Sequence, residues 1–267
     1  MNCKICSSKT NEIFVGNVLN KYPVKYFQCE SCRFIQTENV YWLKESYESA
    51  IASLDIGYAT RNFMLSEVAG TIIHFMFEKK STRFLDYGGG YGLFVRLMRD
   101  RGLDFYRSDI YCENIFANYF DISDLSQDHG FELLTAFEVF EHLDNPLAEI
   151  EMMLRHSDSI LFSTELQPAG EFKNPDDWWY FVPETGQHIA FYSLKSLEII
   201  AKKFGLNLYS NNRNLHLLTR KKYRINYVKY VSAFYNLVNY FLSRHFQNRK
   251  SLINRDYNFI KSRLGKA

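Results

Sequence analysis

Four cysteines stand in two pairs of identical spacing, Cys3-x-x-Cys6 and Cys29-x-x-Cys32. A Cys-x-x-Cys turn presents two thiolates to one side, so two such turns can close a tetrahedral zinc site. The 22 residues between the pairs slightly exceed the usual gap, and a hairpin absorbs the excess. The segments "EIFVGNV" and "YPVKYFQC" supply two β-prone arms for it. A ribbon this small has too little core to fold without a metal staple. With four protein ligands the zinc has no open position, so its role would be structural. Free thiols or a redox pair are the other readings of the same spacing. The fifth cysteine, Cys112, reads as a small hydrophobe.

A second chemical signal is the stretch "FLDYGGGYGLF" at residues 84–94. A short apolar run ends in an acid, glycines follow, and apolar residues resume. No Gly-Lys-Ser/Thr follows, which excludes the common phosphate loop. In a dinucleotide fingerprint counted from Gly88 and Gly90, the third glycine would fall at position 93, which is Leu93. The observed spacing is Asp86-x-Gly88-x-Gly90-x-Gly92. A pyrophosphate on this loop would be repelled by Asp86, whereas a cationic ligand would be attracted. S-adenosylmethionine carries an ammonium and a sulfonium, and glycines let the backbone approach it closely. Asp109 lies 23 positions after Asp86, where an acid at the end of a second strand would hold ribose hydroxyls, with Ile110 beside it. Asp121 and Ile122, at the end of a third short strand, are expected at the adenine edge, and Phe137 and Glu138 at the end of the fourth.

These residues need a scaffold that ends several strands side by side. "TRFLDYG", "LDFYRSD", "ANYFDIS", "FELLTAFEV" and "DSILFSTEL" read as strands. "YGLFVRLMRDRG" reads as a helix burying Leu93, Phe94, Leu97 and Met98, with Gly102 closing it. Another helix runs through "NPLAEIEMMLRH", with Pro146 in its first turn. Ser193 caps "LKSLEIIAKKFG", and "LNLYSNN" with "LHLLTRK" forms a closing antiparallel hairpin. Strand–helix alternation predicts an α/β fold: a doubly wound, mostly parallel, seven-stranded sheet, Rossmann-like, with ligands at the carboxyl ends of the strands. The expected organisation is a zinc ribbon over 1–40, a helical stretch over 41–80 with Ile72, Phe75, Met76 and Lys79 on one face, the cofactor domain over 81–221, and a helical tail over 222–267.

At "FLDYGGGYG", "SDI", "FDISDL" and "FELLTAFEVFEHLDNP" the chain resembles class I S-adenosylmethionine-dependent methyltransferases, over roughly residues 60–220. Together with the four-cysteine module and "GQHIAFYS", it is similar to sugar methyltransferases of nucleotide-deoxysugar and surface-polysaccharide pathways. That resemblance implies an "EHxxYFS"-like stretch with a catalytic histidine. Here the histidine is His188, and the family's glutamate is replaced by Gln187. On this resemblance the chain is expected to lack the family's large C-terminal domain, and Gln187 favours O- over C-methylation. His188 is the candidate base, since an imidazole titrates near neutrality. His142 and Glu141 in "FEHLDNP" are the other candidates, and Glu138 and Glu141 also suit polar cofactor contacts. In "NPDDWWYFVPETGQH", Trp178, Trp179 and Tyr180 are expected to face the acceptor as a lid, since aromatic faces suit sugar C–H surfaces; a clasp over the sheet is the alternative.

Composition limits the partners. The 267 residues carry a net charge of +2, but 221–267 hold eleven Lys/Arg and one acid, Asp256, leaving the rest at about −8. An acidic body and a weakly basic ribbon argue against nucleic acid, although an RNA base methyltransferase with a zinc ribbon is an alternative reading. A non-catalytic S-adenosylmethionine-binding module is another. No apolar run spans a membrane and no secretory leader is evident, so a cytoplasmic setting is expected. The tail carries a stripe of Tyr227, Val231, Phe234, Val238 and Phe241, suited to packing on the protein or to contact with the inner membrane face.

Overall fold

The computed structural model describes residues 1–47, 54–77, 82–125, 130–233 and 250–264. Its first sheet begins with β1 (Thr10–Val18) and β2 (Tyr22–Cys29), an antiparallel hairpin in which alternate side chains are buried. β3 (Ile35–Thr37) pairs with β2. The fourth strand comes from far along the chain: β8 (Ala190–Phe191) pairs with β3 through Ile35↔Phe191 and Gln36↔Ala190. The cysteine ribbon thus shares a sheet with the segment that follows His188.

The second sheet contains β4 (Arg83–Tyr87), β5 (Asp104–Ser108), β6 (Leu133–Phe137), β7 (Ser159–Ser163), β9 (Asn207–Ser210) and β10 (Leu215–Thr219). Their spatial order is β5-β4-β6-β7-β10-β9. The first four are mutually parallel, and β10 is antiparallel to both β7 and β9. β6 and β7 are apolar almost throughout, as strands buried on both faces must be. Among the described residues, six strands form where seven are expected. The segment over "ANYFDIS" reaches the correct edge of the sheet but makes a single parallel bridge, Arg107↔Asp121. Tyr119 turns left-handed (φ 69°), and Asp121 starts a 3₁₀ turn capped with Asp124, so the extended backbone cannot continue.

Two helical elements precede this sheet, the short α1 (Leu43–Ser46) and the long α2 (Tyr58–Met76). Ile72 and Met76 are buried as expected, but Phe75 is exposed and stacks on Tyr227. α3 (Leu93–Asp100), α4 (Pro146–His156) and α5 (Leu194–Phe204) cover the sheet. The α3 face is rotated from the expected one, burying Phe94, Val95, Met98 and Arg99. Arg99 is buried because Asp256 of α7 (Ile253–Leu264) meets its guanidinium with two bonds of 2.8 Å. α6 (Tyr227–Ala233) buries Val228 and Val231 against the body. Phe234, Val238 and Phe241 lie outside the described residues. Among the described residues, no helix is long and apolar enough to cross a membrane.

One core fills the space around the six-stranded sheet and includes Cys3, Ile5, Cys29 and Cys32. A second, aromatic core joins the ribbon to the 172–191 segment: Phe14, Tyr26, Trp42, Trp178, Phe181 and Phe191 belong to it. Here the expected lid is corrected. Trp178 is a core residue, 6% exposed, whereas its neighbour Trp179 is 68% exposed.

Candidate active site

Chain order reverses between β4 and β6, since the connections from β4 lead outward to β5 and those from β6 lead the other way to β7. That is where an open α/β sheet leaves a crevice at its carboxyl edge. A cavity of about 790 Å³ occupies it. Among the expected site residues, its wall contains Asp86, Gly88, Gly90, Asp109, Ile110, Phe137, Glu138, His142, His188, Trp179 and Tyr180. Gly92, Asp121, Ile122, Glu141 and Trp178 are not on that wall.

The glycines are there for backbone reasons. Gly88, Gly90 and Gly92 all have positive φ, of 67°, 53° and 86°. A side chain at Gly88 would meet Val139 Cγ2 at 2.7 Å. Gly92 is the left-handed residue at the start of α3, close against Asn114 and Ala117. The loop is fixed from below. Asp109 accepts hydrogen bonds from the backbone N–H of Gly90 (2.9 Å), Tyr111 (2.8 Å) and Cys112 (2.8 Å). Arg107, buried on β5, donates to the carbonyls of Gly90 and Cys112 and pairs with Asp121 at 2.6 Å. Asp121 also accepts from Asn114 Nδ2 at 3.0 Å. Its carboxylate therefore braces the loop from behind and does not line the cavity.

Asp86 lies beneath Gly89, 3% exposed, and accepts a 2.7 Å bond from Thr135 Oγ1. Burial pushes its carboxyl up to about 7, and the Asp109 charge adds to this while Thr135 and Arg107 oppose it.

The opposite end of the cavity is histidine-rich. Glu141 and His142 follow β6 in a 3₁₀ turn. His188 sits on the strand-like loop held by the ribbon: Thr37 N–H donates to the Ile189 carbonyl, and Trp42 Nε1–H donates to the Gly186 carbonyl at 2.9 Å. His142 Nδ1 is 3.0 Å from the Gln187 carbonyl, and His188 Nδ1 is 2.7 Å from the Tyr180 carbonyl. A carbonyl only accepts, so both Nδ1 atoms carry the proton and both Nε2 atoms keep a lone pair. The two rings lie 5.1 Å apart, nearly perpendicular. Burial holds both imidazoles neutral, lowering His142 to about 3 and His188 in the same direction. Glu141 is fully buried, and desolvation, with the Glu138 charge, pushes it up to about 8.

Gln187 explains itself in this frame. Its carbonyl orients His142 and its side-chain amide donates to the Ser46 carbonyl at 2.8 Å, a bond a glutamate could not give while ionised. Residues the sequence did not single out complete the wall. Tyr58 and Arg61 sit one turn apart at the start of α2, and Arg61 pairs with Asp55 at 2.7 Å and approaches Glu138 at 3.7 Å. Tyr47 stacks on Tyr111 at 4.9 Å across the same cavity. The i, i+3 spacing of Tyr58 and Arg61 was the available signal, but it is common on any helix. Glu138 adopts a left-handed conformation (φ 54°) while its carboxylate accepts from Ser163 Oγ at 2.6 Å. Backbone strain held in place at a cavity wall is a feature of functional sites.

The four cysteine sulfurs converge away from this cavity. Cys3 Sγ is 3.5 Å from Cys32 Sγ, Cys6 Sγ is 3.4 Å from Cys29 Sγ, and all four lie within 4.8 Å of one another. Zinc–sulfur bonds of about 2.3 Å give tetrahedral edges of about 3.8 Å, so the set fits such an ion. The two turns are alike: Ser7 N–H donates to the Cys3 carbonyl and Arg33 N–H to the Cys29 carbonyl, and Ser7 and Arg33 are both left-handed (φ 64° and 62°).

A family model described as a methyltransferase domain matches residues 54–211. A search of curated proteins finds no match. Among solved structures, the plantazolicin methyltransferase BpumL with SAH is similar at 12% identity and a TM-score of 0.43, covering 68% of this chain and 98% of that one. CalO1, a methyltransferase in calicheamicin biosynthesis in its SAH-bound form, shares 13% identity at a TM-score of 0.44, covering 63% and 55%. Magnesium protoporphyrin IX methyltransferase from Synechocystis PCC 6803, with bound SAM, shares 12% at 0.39, covering 67% and 91%. Likenesses this loose carry no argument about the acceptor. The matched domain covers more than half of the chain and contains the glycine loop, Asp86 and Asp109: the chain belongs to the methyltransferase domain family and is an S-adenosylmethionine-dependent methyltransferase.

Proposed function

We propose that the chain methylates a hydroxyl of a sugar, either nucleotide-linked or part of a surface glycan. The observation that supports this is a single cavity with two chemically different ends, the glycine loop at one and two neutral histidines at the other. S-adenosylmethionine supplies a methyl group on a sulfonium, whose neutral leaving group needs little help. Asp86 beneath the glycine loop suits the cationic methionyl part, and Asp109 on the same wall would accept from the ribose hydroxyls. The acceptor oxygen belongs at the histidine end, beside the exposed face of Trp179, which suits a sugar's C–H surface. The main task of the chain is then to hold that oxygen in line with the methyl. Zinc on Cys3, Cys6, Cys29 and Cys32 would hold the ribbon, and through β3 and β8 the loop that carries His188.

Incubation with methyl-labelled S-adenosylmethionine and a panel of nucleotide-linked deoxysugars is expected to place the label on a sugar oxygen. Label entering a sugar carbon would overturn the O-methyl assignment. Label entering only RNA would replace the sugar reading, and cofactor binding with no turnover on any acceptor would make the chain a binding module.

A further inference from the structure

We infer that Glu141, His142 and His188 form a binding site for a divalent first-row transition-metal ion at the acceptor end of the cavity. One donor atom from each residue lies within 4.8 Å of the others, a spread that small side-chain rotations can close onto one ion. Two imidazoles and a carboxylate are a donor set that suits Mn²⁺, Fe²⁺ or Zn²⁺. Three features point to a ligand beyond mere proximity. Glu141 has no exposed surface, and neither carboxylate oxygen has a hydrogen-bond partner. Its own backbone N–H and the hydroxyls of Tyr180 and Thr164 lie close enough to favour its ionised form, and the two hydroxyls have no hydrogen-bond partner elsewhere. A buried carboxyl left this way is costly unless something meets it.

The second feature is the orientation of the rings. Both histidines donate Nδ1–H to a backbone carbonyl, at 3.0 and 2.7 Å. This is the outer support that metal-ligating histidines have, fixing the ring and leaving Nε2 for the ion. The third is placement: both rings line the cavity while Glu141 stands behind them, so an ion among the three keeps open positions for an oxygen ligand. Glu138 adds nearby negative charge, although Ser163 and Arg61 engage its carboxylate. Arg61 is the opposing charge at this end, and Asp55 and Glu138 offset it. On the methyl-transfer reading, the ion would bind the acceptor oxygen directly and His188 would act as its ligand.

The test is Mn²⁺ binding to the full chain after its cysteine site has been filled with zinc, followed by electron paramagnetic resonance. One saturable Mn²⁺ per chain is expected, with spin-echo modulation from imidazole nitrogen. Glu141→Gln and His188→Ala should each weaken Mn²⁺ about tenfold or more, with affinity for S-adenosylhomocysteine retained as evidence of folding. No saturable binding to the wild type, binding without nitrogen modulation, or binding that survives both substitutions would each overturn the site. Mn²⁺ binding without S-adenosylhomocysteine binding would uphold the ion site while defeating the cofactor reading. The converse would defeat the ion site alone.

Discussion

Asp86 offers a sharp test of the cofactor end. Its carboxyl is buried under the glycine loop, and burial moves it from 3.8 to about 7. In the unfolded chain it would ionise at its ordinary value, so the folded form holds its proton more tightly. Stability from this group is therefore full below about pH 4 and is lost as pH rises to about 7, staying constant above. The gap corresponds to about 4 kcal/mol. A ligand ammonium beside the carboxylate reverses the preference by favouring ionisation. Below pH 7 its binding must expel the proton, so affinity should fall by up to about tenfold per pH unit between pH 7 and 5. Asp86→Asn keeps an oxygen to accept from Thr135 Oγ1 but cannot ionise. Calorimetry with S-adenosylhomocysteine at several pH values is the assay. Wild type should release about one proton at pH 6, and Asp86→Asn should bind more weakly at pH 8 with a flat profile. The variant should also lose the decline in stability between pH 4 and 7 in urea titrations. A wild-type affinity independent of pH, or an unchanged slope in the variant, would refute the reasoning.

Gly90→Val should weaken S-adenosylhomocysteine binding, because φ of 53° strains any side chain by about 1–3 kcal/mol and the valine would enter the cavity beside Tyr58. Equal affinity by calorimetry would remove the ligand from this loop. The neighbouring tryptophans should separate cleanly: Trp178→Ala should cost about 3–5 kcal/mol in urea unfolding, whereas Trp179→Ala should leave stability nearly unchanged and raise the KM for the acceptor. If zinc fills the four-cysteine cluster, chelating it should lower turnover more than cofactor affinity, because β3 of the ribbon pairs with β8 beside His188 while the glycine loop belongs to the other sheet. Parallel calorimetry and kinetics on chelated protein would check that difference.

The parts of this protein that could be read from its sequence are those written over short stretches. The Cys-x-x-Cys turns, the Asp86–Gly92 loop, the capping Ser193 and the alternation of strands with helices each depend on neighbours a few residues away. Backbone geometry settles such features locally: three glycines with positive φ after a buried strand leave few alternatives. The cavity-lining positions of Asp86, Asp109 and His142 follow from where β4, β5 and β6 end. What the tertiary structure decided depends on partners far along the chain. Trp178 and Trp179 are adjacent and identical in type, and only the ribbon's aromatic core determines which is buried. Arg99 looks like a surface residue of α3 until Asp256, 157 positions away, meets it. The third strand was written in apolar residues but was reduced to one bridge, because Asp121 is drawn to Arg107 and to its own cap. The gathering of Glu141, His142 and His188 depends on β8 pairing with β3, a contact set by packing across more than 150 residues. Local propensity carries no information at that range, because loop closure and the burial of two cores determine it together.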